Sequence, residues 1–167
     1  MHIDYMNKCN KDVMEKVLII SSNFLPESVG GASRIYEMAK EIQNKYDVSI
    51  ICPPPTYPFT KYKKSNHIFQ KQILDGITVY RVWTYQPSTS NPSFFGRFLY
   101  YMIFPILTFL FLFSLLRNVS FVIISTPPTS LLITSWMVRL FRKKLIVDVR
   151  DLWIYALISL KYLNKNN

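Results

Sequence analysis

Val17-Leu18-Ile19-Ile20-Ser21 runs into Ser22-Asn23-Phe24-Leu25-Pro26-Glu27-Ser28-Val29-Gly30-Gly31, and this stretch decides the fold. A short apolar run after a polar leader has the pattern of a strand buried on both faces. Beyond the loop, Ala32 to Tyr46 places Ile35, Met38, Ala39 and Ile42 at helical spacing, and Asp47 to Cys52 returns to strand character. Strand, loop, helix and strand in that order open a doubly wound parallel sheet. Working outward, Ile77 to Trp83, Phe121 to Ser125 and Lys144 to Val149 supply three more strands. The chain therefore predicts an α/β, Rossmann-like three-layer domain with a mostly parallel sheet of at least five strands. Pro53 to Ile73, rich in proline and lysine, reads as a long irregular connection, and Asp75-Gly76 as a turn. Thr126 to Ser130 starts a helix to about Phe141, and Trp153 to Leu163 is long enough for a last one. One domain over 16–163 follows, with a polar leader (1–15) and a short tail (164–167).

The composition narrows the partners. Among 167 residues the net charge is +10, which favours anionic ligands such as lipid headgroups or phosphorylated compounds. No basic helix with interleaved aromatics and no zinc-finger spacing occurs, so nucleic acid is not expected. Cys9 and Cys52 are read as free thiols in a reducing compartment. His2 and His67 stand alone, so no metal site and no catalytic triad is expected.

Segment 94–117 is the most apolar part of the chain, and Phe98 to Leu116 holds no charge over 19 residues. About 20 apolar residues are needed to cross a bilayer. A crossing would separate strands that must share a sheet, leaving open edges. Two readings remain beside it: a helix lying in one leaflet while still connecting the fold, or a core helix. For lipid contact the candidates are Phe98, Tyr100, Tyr101, Phe104, Phe109 and Phe111.

Two motifs carry potential chemistry. Gly30-Gly31 at a helix start lets backbone approach a ligand, its N–H groups favour an anion, and Arg34 adds charge. The loop also sits where open parallel sheets bind ligands, at a strand's carboxyl end. A third glycine at dinucleotide spacing and a Gly-Lys-Ser phosphate cradle are both missing. Asp148, Arg150 and Asp151 cluster at the end of the last strand, able to bind sugar hydroxyls or phosphate or to pair with each other.

These residues resemble the amino-terminal domain of family 4 glycosyltransferases, in the subgroup making capsule, O-antigen and colanic-acid-type polysaccharides. The resemblance rests on Asn23 to Glu27, Gly30-Gly31-Ala32 with Arg34, Tyr57-Pro58, Asp75-Gly76-Ile77 with Val79 and Arg81-Val82, Ser125 to Pro128, and Asp148 to Trp153. These fall in family order across most of the chain. Many relatives carry His-Asp in place of Arg150-Asp151, and a proline where Ile154 stands. The resemblance implies one half of a GT-B architecture and a retaining sugar transfer from a nucleotide-sugar, a substrate rather than a cofactor, to a lipid-linked or polysaccharide acceptor. It makes Gly30, Gly31, Arg34, Arg150 and Asp151 candidate donor or acceptor contacts, with the catalytic residue unassigned. It also implies a place at the cytoplasmic face of the membrane, against the inner leaflet. The expected paired glutamates of the donor domain do not appear before Asn167, so the chain is expected to be inactive without a separate chain supplying that domain. A non-catalytic membrane-associated binding module, a truncated gene fragment and an unrelated small membrane protein are the other readings.

Overall fold

The computed structural model describes residues 14–150; Asp151, Trp153, the predicted last helix and most of the polar leader lie outside them. The described chain runs β1 (Lys16–Ile20), α1 (Gly30–Gln43), β2 (Asp47–Cys52), β3 (Phe69–Leu74), β4 (Ile77–Val82), α2 (Phe94–Leu115), β5 (Phe121–Thr126), α3 (Thr134–Leu140) and β6 (Lys144–Val149). The six strands form one sheet in the order β3-β4-β2-β1-β5-β6. All neighbours are parallel except β3 with β4. The fold is the expected α/β, Rossmann-like three-layer arrangement.

Side chains alternate along each strand and so feed two separate cores. Val17, Ile19, Ile50 and Val79 pack under Ile35 and Ala39 of α1. Leu18, Ile20, Val122 and Ile124 pack on the opposite face against Phe104 and Leu112 of α2 and Val138 of α3. Burial on both faces explains why β1 and β5 read as unbroken apolar runs.

One expectation needs correction. The connection after β2 is not irregular throughout, because Phe69 to Leu74 pairs antiparallel with β4 as an edge strand. Asp75 (φ 49°) and Gly76 (φ 81°) both take the left-handed conformation that a two-residue hairpin turn requires. Tyr36 and Gln43 of α1 reach over to Asp75 and hold that turn down.

α2 buries one stripe at intervals of four residues, Tyr100, Phe104, Thr108 and Leu112. Ser93 caps its start by accepting from the Gly96 N–H at 3.3 Å. Pro105 lacks the N–H that would bond to the Tyr101 carbonyl. The Ser130 hydroxyl donates to that carbonyl instead, at 2.7 Å, so the proline is accommodated and the loop after β5 is tied to the helix. α2 is the one described helix long and apolar enough to cross a membrane. Yet β1, before it in sequence, pairs with β5, after it. A helix whose flanking strands share one sheet cannot set them on opposite sides of a bilayer.

Substitutions on the two faces of α2 should separate. Leu112→Ala, in the core, is expected to cost about 2–5 kcal/mol in urea unfolding. Leu110→Ser, 61% exposed, should stay within about 0.5 kcal/mol.

Candidate functional site

In an open parallel sheet, ligands bind outside the carboxyl ends of the strands where the winding direction reverses. Here that point lies between β1 and β5: α1 carries the chain from β1 toward β2, while β5 adds on the other side. A cleft of about 640 Å³ opens at this point. Ser22 and Asn23, just after β1, form one wall and Pro127 and Pro128, just after β5, another; Tyr57, Tyr100 and Tyr101 close it from the side. Ser22 Oγ donates to the Pro127 carbonyl at 2.9 Å, joining the two loops at the cleft floor. A second hollow of about 580 Å³ lies between α2 and α3 against Phe109, Trp136 and Leu140, away from the strand tips.

Beside the cleft, the structure brings together most of the residues singled out in the sequence. Arg34 Nη2 lies 2.8 Å from Asp148 Oδ1, and Arg150 Nε 3.3 Å from Asp148 Oδ2. Ser125 Oγ donates to the same carboxylate at 3.1 Å. Two guanidinium groups against one carboxylate leave a net positive charge. Arg150 is largely buried, and its Nη2 has no hydrogen-bond partner among the described residues. A buried donor left unpaired is costly, and this one lies beside the start of α1.

The two glycines differ in role. A Cβ on Gly31 would sit 2.9 Å from Arg150 Nη1 and 3.4 Å from the Asn23 side-chain amide, so Gly31 is what lets the guanidinium seat against the helix start. A Cβ on Gly30 would meet nothing within 4 Å; that position faces open space. Val29, which precedes the first turn of α1, makes no side-chain cap, and no acidic residue occupies that turn. The first N–H groups therefore keep their affinity for an anion. Asp151, the remaining candidate, lies outside the described residues.

A buried polar network that the sequence did not reveal supports the cleft. Glu27 accepts from the backbone N–H groups of Thr56 at 2.7 Å and Tyr57 at 2.8 Å. In its better hydrogen-bonding orientation the Asn23 amide donates to the other Glu27 oxygen at 3.3 Å. Buried Arg81 donates to the carbonyls of Pro53, at 3.0 Å, and Leu25. Together these tie the loops after β1 and β2 to β4. Burial raises the Glu27 carboxyl above its ordinary value, against the lowering by the two N–H groups and Arg81. Burial likewise pushes the Cys52 thiol up to about 11, so it is protonated and inert.

The lipid-contact candidates divide. Phe98 and Tyr101 are exposed, and Phe109 and Phe111 are half-buried, Phe111 stacking on Phe69 at 4.7 Å. Tyr100 and Phe104 are corrected: both are buried, because they lie on the stripe that meets the sheet. The open face of α2 is carried instead by Phe94, Phe95, Ile106, Leu110 and Phe113, with Trp136 and Leu140 of α3 beside it. From Phe98 to Leu116 the helix carries no charge, with Arg97 before it and Arg117 after it, and Arg139 stands beside Trp136 and Leu140 on α3. Among the described residues no three metal-ligating side chains cluster.

No family model matches the chain, and no curated protein matches it.

The network gives a pH signature. Because the folded-state pKa of Glu27 is raised, folding takes up a proton between that value and the unfolded value near 4.5. This contribution to stability is therefore gained as pH falls from neutrality and lost as pH rises through the folded pKa. In Glu27→Gln, which keeps an oxygen for the two N–H groups, that part of the slope should vanish. Urea midpoints at pH 7 and pH 5 should show the wild type gaining on the variant at the lower pH.

Proposed function

We propose that this chain forms the acceptor-side half of a retaining glycosyltransferase, moving a sugar from a nucleotide-sugar donor to a lipid-linked acceptor. The observation that carries the reading is the seating of Arg150 against Gly31 beside the switch-point cleft, with one buried guanidinium nitrogen unpartnered. A leaving diphosphate needs charge stabilisation that is already oriented when the bond breaks. Arg150, Arg34 and the uncapped N–H groups of Gly30 and Gly31 supply it at one edge of the cleft. The neutral, tyrosine-lined cleft beside them suits a sugar ring.

In this reading the donor-binding half, with its paired glutamates, is a second domain that faces this wall. The acceptor is amphipathic, which gives a purpose to the open apolar face of α2. We place that face against the inner leaflet, where Arg97 and Arg117 meet anionic headgroups.

Calorimetry with pyrophosphate on the full chain tests the anion site. Each charge-assisted hydrogen bond is worth about 1.5–3 kcal/mol. Arg150→Gln should therefore weaken binding roughly ten- to a hundredfold, and Arg34→Gln, already half exposed, by less. Affinity unaffected by Arg150→Gln would remove the main support for the transferase reading.

A further inference from the structure

We infer that a pocket over β3 and β4 binds a small phosphate ester, whose phosphate lies against Lys63 and Lys64 and supplies the counter-charge that buried Arg81 lacks. The pocket shares no lining residue with the switch-point cleft, and the inference does not rest on the transferase reading.

The first observation is the lining. The pocket holds about 360 Å³, within the size range of small-molecule sites. Three cations line it, Lys63, Lys64 and Arg81, and no carboxylate does. Most of the lining comes from the segment between Pro53 and Leu74, which contains Lys61, Lys63, Lys64 and Lys71 and no acidic residue. Pro26, Pro54 and Pro55 give the pocket an apolar wall for an organic group. Several cations around one small space call for more than one negative charge, which a phosphate monoester carries near neutral pH.

The second observation is a buried charge without an ion pair. Arg81 is only 5% exposed. Its guanidinium donates to the carbonyls of Pro53 and Leu25 and, at 3.2 Å, to Cys52 Sγ. In its better hydrogen-bonding orientation the Gln72 amide oxygen accepts from Arg81 Nε and Nη2 at 3.0 Å each. Every one of these acceptors is neutral. Glu27, whose carboxyl feels the Arg81 charge, makes no ion pair with it, and its oxygens are taken by the Thr56, Tyr57 and Asn23 N–H groups. Buried charges are ordinarily paired, because an unpaired one loses its solvation without return. The hydrogen bonds of Arg81 are satisfied but its charge is not, so it attracts an anion into the pocket without bonding it directly.

The third observation is a donor already in place. Lys64 Nζ donates to Ser88 Oγ at 2.5 Å, which fixes the ammonium at the pocket and leaves two of its three N–H groups for a ligand.

The test is calorimetric titration of the full chain with glucose 6-phosphate, inorganic phosphate and glucose. Glucose 6-phosphate should bind, inorganic phosphate more weakly, and glucose not at all. Replacing two exposed side chains in Lys63→Gln/Lys64→Gln should weaken glucose 6-phosphate by about tenfold or more, and Arg150→Gln should leave it unchanged. Gln72→Glu gives Arg81 a carboxylate of its own. That variant should lose the ligand and, in phosphate-free buffer, unfold at a higher temperature than the wild type. The wild type should gain in thermal midpoint only when glucose 6-phosphate is added. Affinity indifferent to the lysine substitutions overturns the inference, as does glucose binding as tightly as its phosphate. Affinity lost in Arg150→Gln overturns it too, since the anion would then sit at the end of β6. A Gln72→Glu chain that folds and keeps wild-type affinity, or that melts no higher than the wild type, contradicts the missing counter-charge.

Discussion

The ladder between β1 and β5 is the constraint on which the rest depends. Val17 to Ile20 lie beside Phe121 to Ile124 in parallel register. That pairing joins a part of the chain before the greasy helix to a part after it. It fixes the reversal point of the sheet, places the loop before α1 beside the loop after β5, and makes a cleft between them. It also compels α2 to lie along one face of the sheet. Without it, the apolar helix would be a hydrophobic segment with no assigned direction. With it, one stripe belongs to the core and the other is left open.

Short polar bonds convert that topology into a shaped site. Ser22 holds the loop after β5 at its start, and Ser130 holds it to the Tyr101 carbonyl that Pro105 leaves free. Glu27 and Arg81 bind the backbone of the neighbouring loops where no regular ladder is available. Such networks are stable only when each buried group is satisfied, and here nearly all are. The exceptions among the described residues are the Tyr100 hydroxyl and Thr108 Oγ1 on the inward stripe of α2, and Arg150 Nη2 at the end of β6.

The sequence made the parallel core legible because strands buried on both faces leave continuous apolar runs, as in Val17 to Ile20 and Phe121 to Ile124. It hid β3, whose outer residues Phe69, Gln70 and Lys71 are exposed and show no alternation. The signal that locates it is Asp75-Gly76, a hairpin turn that demands a strand on each side. The cluster of Gly31, Arg34 and Arg150 was also legible, since the start of α1 and the end of β6 both lie at the carboxyl edge of a parallel sheet. The division of labour between the glycines was not, because only coordinates tell which of two adjacent Cβ positions is filled. Tyr100 and Phe104 were misassigned for a related reason. Composition marks a helix as apolar all round, but the face it turns inward is set by its partners.

The account is tested most directly by asking on which side of a membrane the two ends of the sheet lie. Lys45→Cys, between α1 and β2, and Lys144→Cys, at the start of β6, are both exposed and lie on either side of α2 in sequence. With the chain bound to sealed vesicles, a membrane-impermeant maleimide should label both positions from the same face and neither from the other. Labelling of one position from each face would mean that α2 crosses the bilayer, and the single sheet described here would not exist.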